Sequence, residues 1–227
     1  FYQLKFSQME SVLKSNVDTI IFDLGLSSIQ LKNLKRGFSF KSKEKLDMTM
    51  GLSDISAQDV VNNLSELQLK SIIKILGEER EASRIAKNIV LARSKSRITR
   101  VDQLVKIIEK SKKKNFSNKI NPSTKTFQAL RIFVNKEISE LIYGLINSFK
   151  LLPVGGIIVV VTFHSIEDKI VKYFFKNYSE IKNSSRYYPE SNNKIKLLFK
   201  LANNKPIYPN QSEIKINPPS RSAKLRY

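Results

Sequence analysis

The chain has 227 residues, 41% of them hydrophobic, which allows a substantial core in one large domain or one domain with an insert. Forty Lys plus Arg against twenty Asp plus Glu leave a formal net charge of +20. That excess favours a polyanionic partner through phosphate neutralisation and counterion release, or else lysines that merely coat the surface. The absence of Cys excludes disulfides and thiolate metal sites, a single His argues against a histidine-based zinc site, and no apolar run approaches the roughly 20 residues of a membrane span. The expectation is a soluble cytoplasmic protein with neither metal nor membrane partner.

In chain order, Phe1 to Phe6 (FYQLKF) reads as the end of a strand and Ser7 to Leu13 as a short helix. A chain that opens in the middle of such structure predicts residues upstream of Phe1. Val17 to Gln30, VDTIIFDLGLSSIQ, then reads as a buried central parallel strand that gives way to Asp23, Gly25, Ser27 and Ser28. The C-terminal ends of such strands are where open α/β sheets bind ligands. Asp23 either caps the following turn or accepts hydrogen bonds from a ligand there. The basic stretch from Leu31 to Gly51 reads as a loop carrying Phe38 and Phe40.

From Leu52 to about Lys112 the pattern is helical, with no strand signal. Ser56 with Asp59, and Thr99 with Asp102, have capping-box spacing, and Gly77 is a candidate C-cap. Arg80, Arg84 and Lys87 lie at i, i+4 and i+7 and predict a basic helical face, either solvated or in contact with RNA phosphates. Lys110 to Asn121 is a charged connector and candidate boundary. Pro122 opens a predicted long helix from Thr124 to about Lys150, with Arg131 and Asn135 four residues apart near its core edge.

The second apolar strand, IIVVVTF, ends at His164 and leads into a helix predicted to be capped by Ser165 with Asp168 at the box position. A lone His in that place is either a satisfied structural residue or a catalytic one. Asn177 to Asn193 reads as loop and Lys194 to Leu201 as strand, while the prolines of the tail argue against a regular helix after Asn203. Ser220 to Arg226 places cations in a short strand or loop.

Two apolar strands ending in polar clusters, a long amphipathic helix between them and a helical insertion make an α/β sheet domain with an insert. Neither GxGxxG nor a P-loop is present, so neither dinucleotide nor nucleoside triphosphate binding has its fingerprint. Residue by residue, the reading reaches a basic α/β protein with a crevice containing Asp23 and His164.

The blocks DLGLSSIQL at Asp23, RGFSF at Arg36, LDMTM at Leu46, GEER at Gly77, TFQALRIFVNKEISEL at Thr126, GGIIVVVTFHSIEDKIVK at Gly155 and NPPSRSAKLR at Asn217 stand in one order. Together they resemble the MraW/RsmH family over essentially the whole chain. The resemblance implies an S-adenosylmethionine-dependent methyltransferase that modifies the N4 amine of a cytosine in small-subunit ribosomal RNA. It also implies a Rossmann-like class I methyltransferase sheet, here 1–35 and 121–227, with an inserted all-helical substrate-recognition domain, 36–120. On the family's pattern, Phe6, Asp23, Gly25 and Gln30 are the expected cofactor contacts. The family's Gly-rich cofactor loop and ribose-binding acid are expected before Phe1. Ile29, Lys32, Glu81 and Pro219 depart from residues common in the family.

In the mechanism this implies, the cytosine amine is held in line with the methyl sulfonium, and positioning supplies most of the acceleration. His164 is the expected hydrogen-bond acceptor or base, with Ser27 and Ser28 shaping the base pocket. RNA contacts are expected at Arg36, Arg80, Arg84, Arg131, Asn135, Arg221 and Lys224. The competing readings are a non-catalytic RNA-binding or ribosome-assembly protein on the same fold, and a nicotinamide-dependent oxidoreductase.

Overall fold

The structure is a computed structural model that describes residues 1–13, 17–112, 121–179 and 197–227. In chain order these form β1 (Thr19–Asp23), α1 (Ser28–Lys32), α2 (Ala57–Asn63), α3 (Glu66–Leu76), α4 (Ala82–Arg93), α5 (Val101–Ser111), α6 (Thr124–Asn135), α7 (Glu137–Leu151), β2 (Ile157–Thr162), α8 (Ser165–Ser179), α9 (Gln211–Ile216) and β3 (Lys224–Arg226). The chain divides into two compact units, one of residues 1–25 with 138–227, the other of residues 26–137. Sequence had placed the boundaries at 35/36 and 120/121. The division at 137 follows from α6, which packs against α2 and α3.

The first unit is an α/β arrangement around a mixed sheet of order β1-β2-β3, with β1 and β2 parallel and β3 antiparallel to β2. Phe22, Ile158 and Val160 from the strands and Leu24 just after β1 cluster with Leu141 and Leu145 of α7 and Val171 and Phe175 of α8. The expectation of a central β1 covered on both faces is corrected among the described residues. β1 stands at one edge and alternates, with Phe22 buried while Ile21 is 67% exposed. β2 is the middle strand.

The second unit buries Leu46, Met48, Val61, Leu69, Ile73, Ile85, Ile89, Leu104, Ile108 and Leu130 in one helical core. Each such aliphatic side chain contributes about 1.5–3 kcal/mol relative to exposure. Gly77 ends α3 at φ −100, as a C-cap without left-handed backbone. Its glycine identity has another reason: a Cβ there would lie 2.5 Å from the Lys125 carbonyl oxygen of α6.

Several local expectations are corrected. The predicted long helix breaks at Lys136, which caps α6 in the left-handed region at φ 54 before α7 begins. Residues 1–5 form no strand, and a 3-10 turn spans Phe6–Ser11. The box opening α5 is one residue on from Thr99 and Asp102: the Gln103 carboxamide oxygen accepts from the N–H groups of both Thr99 and Arg100. Arg80 precedes α4, so only Arg84 and Lys87 of the predicted basic stripe share that helix.

In the tail, α9 forms in the proline-free stretch between Pro209 and Pro218, capped by the Asn210 side chain accepting from the Glu213 N–H. Of the predicted strand at Lys194 to Leu201, residues 197–201 have no strand pairing, and the rest lies outside the described residues. The same is true of residues 113–120 of the predicted connector and 180–193 of the predicted loop. Among the described residues no helix is long and apolar enough to cross a membrane.

Candidate active site at the carboxyl edge of the parallel strands

In the first unit, parallel pairing in the register Ile21 to Val159 and Asp23 to Val161 brings the carboxyl ends of β1 and β2 side by side. The Leu24 N–H extends the ladder by donating to Val161 O at 3.2 Å. Beyond the ladder, Gly25 takes φ +92, and a Cβ built there would lie 3.5 Å from the Phe163 ring. Only glycine adopts that backbone without strain. The turn after β1 is thereby laid against the residue that precedes His164.

Asp23 is exposed, and none of the described residues hydrogen-bonds its carboxylate. A solvent-facing acceptor at a strand's carboxyl end suits the hydroxyl or amino donors of a nucleoside.

His164, 11% exposed, is held from both sides of its ring by Glu167. Nδ1 accepts from the Glu167 N–H at 3.4 Å, and Nε2 lies 3.1 Å from Glu167 Oε1, although outside hydrogen-bonding alignment. Glu167 Oε2 in turn accepts the N–H groups of Phe163 at 2.9 Å and His164 at 3.3 Å. This is a capping box with His164 at the cap and Glu167 three residues on, which corrects the predicted box of Ser165 and Asp168 by one residue. Ser165 is the first residue of α8.

Asp168 is freed for another task. Its two oxygens accept from Arg226 Nε at 2.7 Å and Lys224 Nζ at 3.0 Å. Burial raises the Asp168 carboxyl pKa, but the hydrogen bonds and charges of Arg226 and Lys224 outweigh it and hold the group below its ordinary value. Lys224, expected on RNA, is thus paired within the fold, whereas Arg221 in the preceding 3-10 turn is exposed.

Phe6 packs edge-to-face on Phe22, centroids 5.3 Å apart. The backbone beside it is clamped by α7: Glu140 accepts the Ser7 N–H at 3.1 Å and Asn147 donates to the Ser7 carbonyl at 2.9 Å. A Cβ on Gly144 would meet the Phe22 ring at 2.9 Å and Phe6 Cβ at 3.0 Å, so glycine is what lets the aromatic pair close onto the helix.

In the second unit, Gln30 and Ser27 form the box that starts α1: Ser27 N–H donates to the Gln30 carboxamide at 3.0 Å, and Gln30 N–H to Ser27 Oγ at 3.2 Å. Ser27 and Ser28 are exposed. Arg36 donates to the Thr49 carbonyl at 2.6 Å and stacks over Phe38. Arg131 makes a two-pronged contact with Glu137, 2.8 Å on each prong.

Asn135 is buried and uses its whole carboxamide. It accepts from Met50 N–H and Ser53 Oγ and donates to the Met48 and Arg131 carbonyls. It thereby holds the Met48 backbone, itself left-handed at φ 60. In the GEER block, Glu79 is buried and paired with Lys112, Arg84 pairs with Glu81 at 3.1 Å, and Arg80 is exposed. Of the expected RNA-contacting cations, Arg80 and Arg221 face solvent, while Arg36, Arg131 and Lys224 are engaged within their own units.

The sequence signals for Glu167 and Glu140 as organising residues went unread, and Asp168, expected in the capping box, pairs with Lys224 and Arg226 instead. A signal for the first was present, since Glu167 follows His164 at box spacing.

The MraW methylase family profile matches residues 1–227. Three curated relatives, each named ribosomal RNA small subunit methyltransferase H, are similar along nearly the whole chain. That of Bartonella tribocorum is 44% identical over 98% of this chain and 67% of its own length. That of Xanthobacter autotrophicus is 42% identical over 98% and 65%, and that of Sulfurihydrogenibium sp. 43% identical over 97% and 72%. The chain thus spans about two thirds of the length of the curated relatives it matches. A profile match across every residue, together with relatives this similar, establishes that the chain belongs to the MraW methylase family.

Proposed function

We propose that the protein transfers a methyl group from S-adenosylmethionine to the N4 amine of a cytosine in small-subunit ribosomal RNA, in the cytoplasm. The observation that carries this reading is that Asp23 ends one parallel strand and His164 follows the carboxyl end of its neighbour, in a member of a methylase family. The net charge of +20 and the name shared by the relatives support a ribosomal RNA substrate. On this reading the first unit is part of a Rossmann-like class I methyltransferase sheet, and the second is a helical substrate-recognition insert.

The residues present fit an adenosine-type cofactor. Among the described residues Asp23 is an acceptor without a hydrogen-bond partner, Gly25 takes a backbone that only glycine adopts without strain, and Phe6, 38% exposed, offers a ring for apolar contact. Phe6, Asp23 and Gly25 of the first unit would hold it. The bound cofactor supplies an already activated methyl group.

The chain's own contribution is to hold the amine in line, which supplies the largest share of the rate. The lone pair of a cytosine amine is delocalised into the ring, so the nitrogen would have to become tetrahedral to take the methyl group released from the donor's sulfur, and the proton it sheds would pass to water. A base reached in this way is unstacked, which favours loop or single-stranded RNA. In the first unit, His164 is proposed to contact it and Arg221 to meet phosphate; in the second unit, Arg80 and Arg84 are proposed to meet phosphates.

The test uses the full-length protein, radiolabelled cofactor and small ribosomal subunits from cells lacking the gene, with nucleosides resolved by mass spectrometry. N4-methylcytidine is the expected product. Methyl transfer to a ring carbon or a ribose, or binding of nicotinamide dinucleotide in place of the methyl donor, would overturn the reading.

A further inference from the structure

His164 carries more information than its position. A backbone N–H can only donate, so Nδ1, which faces the Glu167 N–H at 3.4 Å, presents a lone pair. That contact assigns the tautomer with hydrogen on Nε2, which lies 3.1 Å from Glu167 Oε1 but outside hydrogen-bonding alignment. The ring's lone pair is spent on the cap of α8, which leaves none to receive a proton from the cytosine amine. Nε2–H is meanwhile buried without an aligned acceptor among the described residues, a condition that calls for an explanation.

We propose that His164 is a hydrogen-bond donor that reads the acceptor edge of the target pyrimidine at ring N3, and that Glu167 is the positioning residue that holds the tautomer. This inference rests on the methyl-transfer reading and assigns a specificity role within it. Cytosine offers a lone pair at N3, next to the carbon that bears the amine. Uracil carries hydrogen at the same place, so a fixed donor opposes it. A site built around one hydrogen bond rejects the mismatched partner because its own buried group is then left unpaired.

Two substitutions in the full-length protein separate donor from base. His164→Asn keeps an oxygen at the cap and so keeps the helix start, but has nothing in the place of Nε2. His164→Gln extends an amide N–H toward that place, but has no basic nitrogen. The donor role predicts that His164→Gln keeps kcat within about fivefold of wild type while His164→Asn loses at least about tenfold, the loss of one well-placed hydrogen bond. Thermal melts of both variants separate losses of folding from losses of turnover.

If wild type makes N4-methylcytidine and both variants are equally inactive while folded, the donor role is overturned and a base role stands in its place. If both are equally active, His164 is a helix cap alone and the inference is likewise overturned. If wild type makes no N4-methylcytidine, the methyl-transfer reading fails and takes this inference with it.

Discussion

Asp168 accepts a hydrogen bond from Arg226 Nε at 2.7 Å across a sequence separation of 58 residues. With Lys224 on its other oxygen, this one carboxylate pins β3 to the first turn of α8. β3 pairs with the last residues of β2, so the contact stabilises the end of the strand from which His164 follows.

Removing that carboxylate leaves two cations partly buried and unpaired. Asp168→Asn is expected to cost about 3 kcal/mol near neutral pH, the scale for breaking a buried ion pair. The folded pKa is depressed, so the contribution is present above the ordinary carboxylate value of 3.8 and is lost as pH falls through the lower folded value. Urea unfolding of wild type and variant should therefore differ near neutrality and converge in acid. A difference that persists unchanged in acid would remove the carboxylate from this account.

The Asn135 carboxamide satisfies both Met48 O and Met50 N–H and so holds the backbone that follows the left-handed Met48. Asn135→Ala is expected to destabilise the protein by about 3 kcal/mol, since each buried group left unpaired costs about 1–3 kcal/mol. The Met50 amide should also lose protection in hydrogen exchange. Retained protection would show that another group takes over.

Lys136 pays for its turn with a positive φ of 54, and its ion pair with Asp54 joins two exposed side chains at 3.5 Å. Exposed pairs contribute little, whereas glycine relieves the left-handed backbone. Lys136→Gly should therefore raise stability by about 0.5–1 kcal/mol, measured as an increase in melting temperature. A decrease would mean that the ion pair or the added chain freedom outweighs the strain.

Asp23 is exposed and makes no side-chain hydrogen bond among the described residues, so its substitution should leave the fold alone. Asp23→Asn in the full-length protein is expected to weaken S-adenosylmethionine binding at least about tenfold, the scale of a lost charge-assisted hydrogen bond, with an unchanged melting temperature. Calorimetric titration checks the affinity. Wild-type affinity would take Asp23 out of the cofactor site.

Much of the local architecture was legible because its causes lie a few residues apart. The apolar runs at 19–22 and 157–161 form strands, and the Ser56 and Asp59 box opens α2 as its spacing predicts. Where neighbouring residues offered two solutions, spacing alone chose the wrong one. His164 and Ser165 both precede a carboxylate at box distance, and the fold uses the first because Asp168 is drawn away by cations from the far end of the chain. The break at Lys136 had no helix-breaking residue to announce it. Asn135, just before it, is committed to the loop at 48–53, a partner no local pattern contains.

By itself, then, the sequence determined the family, the two apolar strands and the polar residues that close them, since these are written in contiguous blocks. Tertiary structure alone decided which cations remain exposed and which are paired internally. Those outcomes depend on hydrogen-bond partners and burial, which exist only once distant segments have come together.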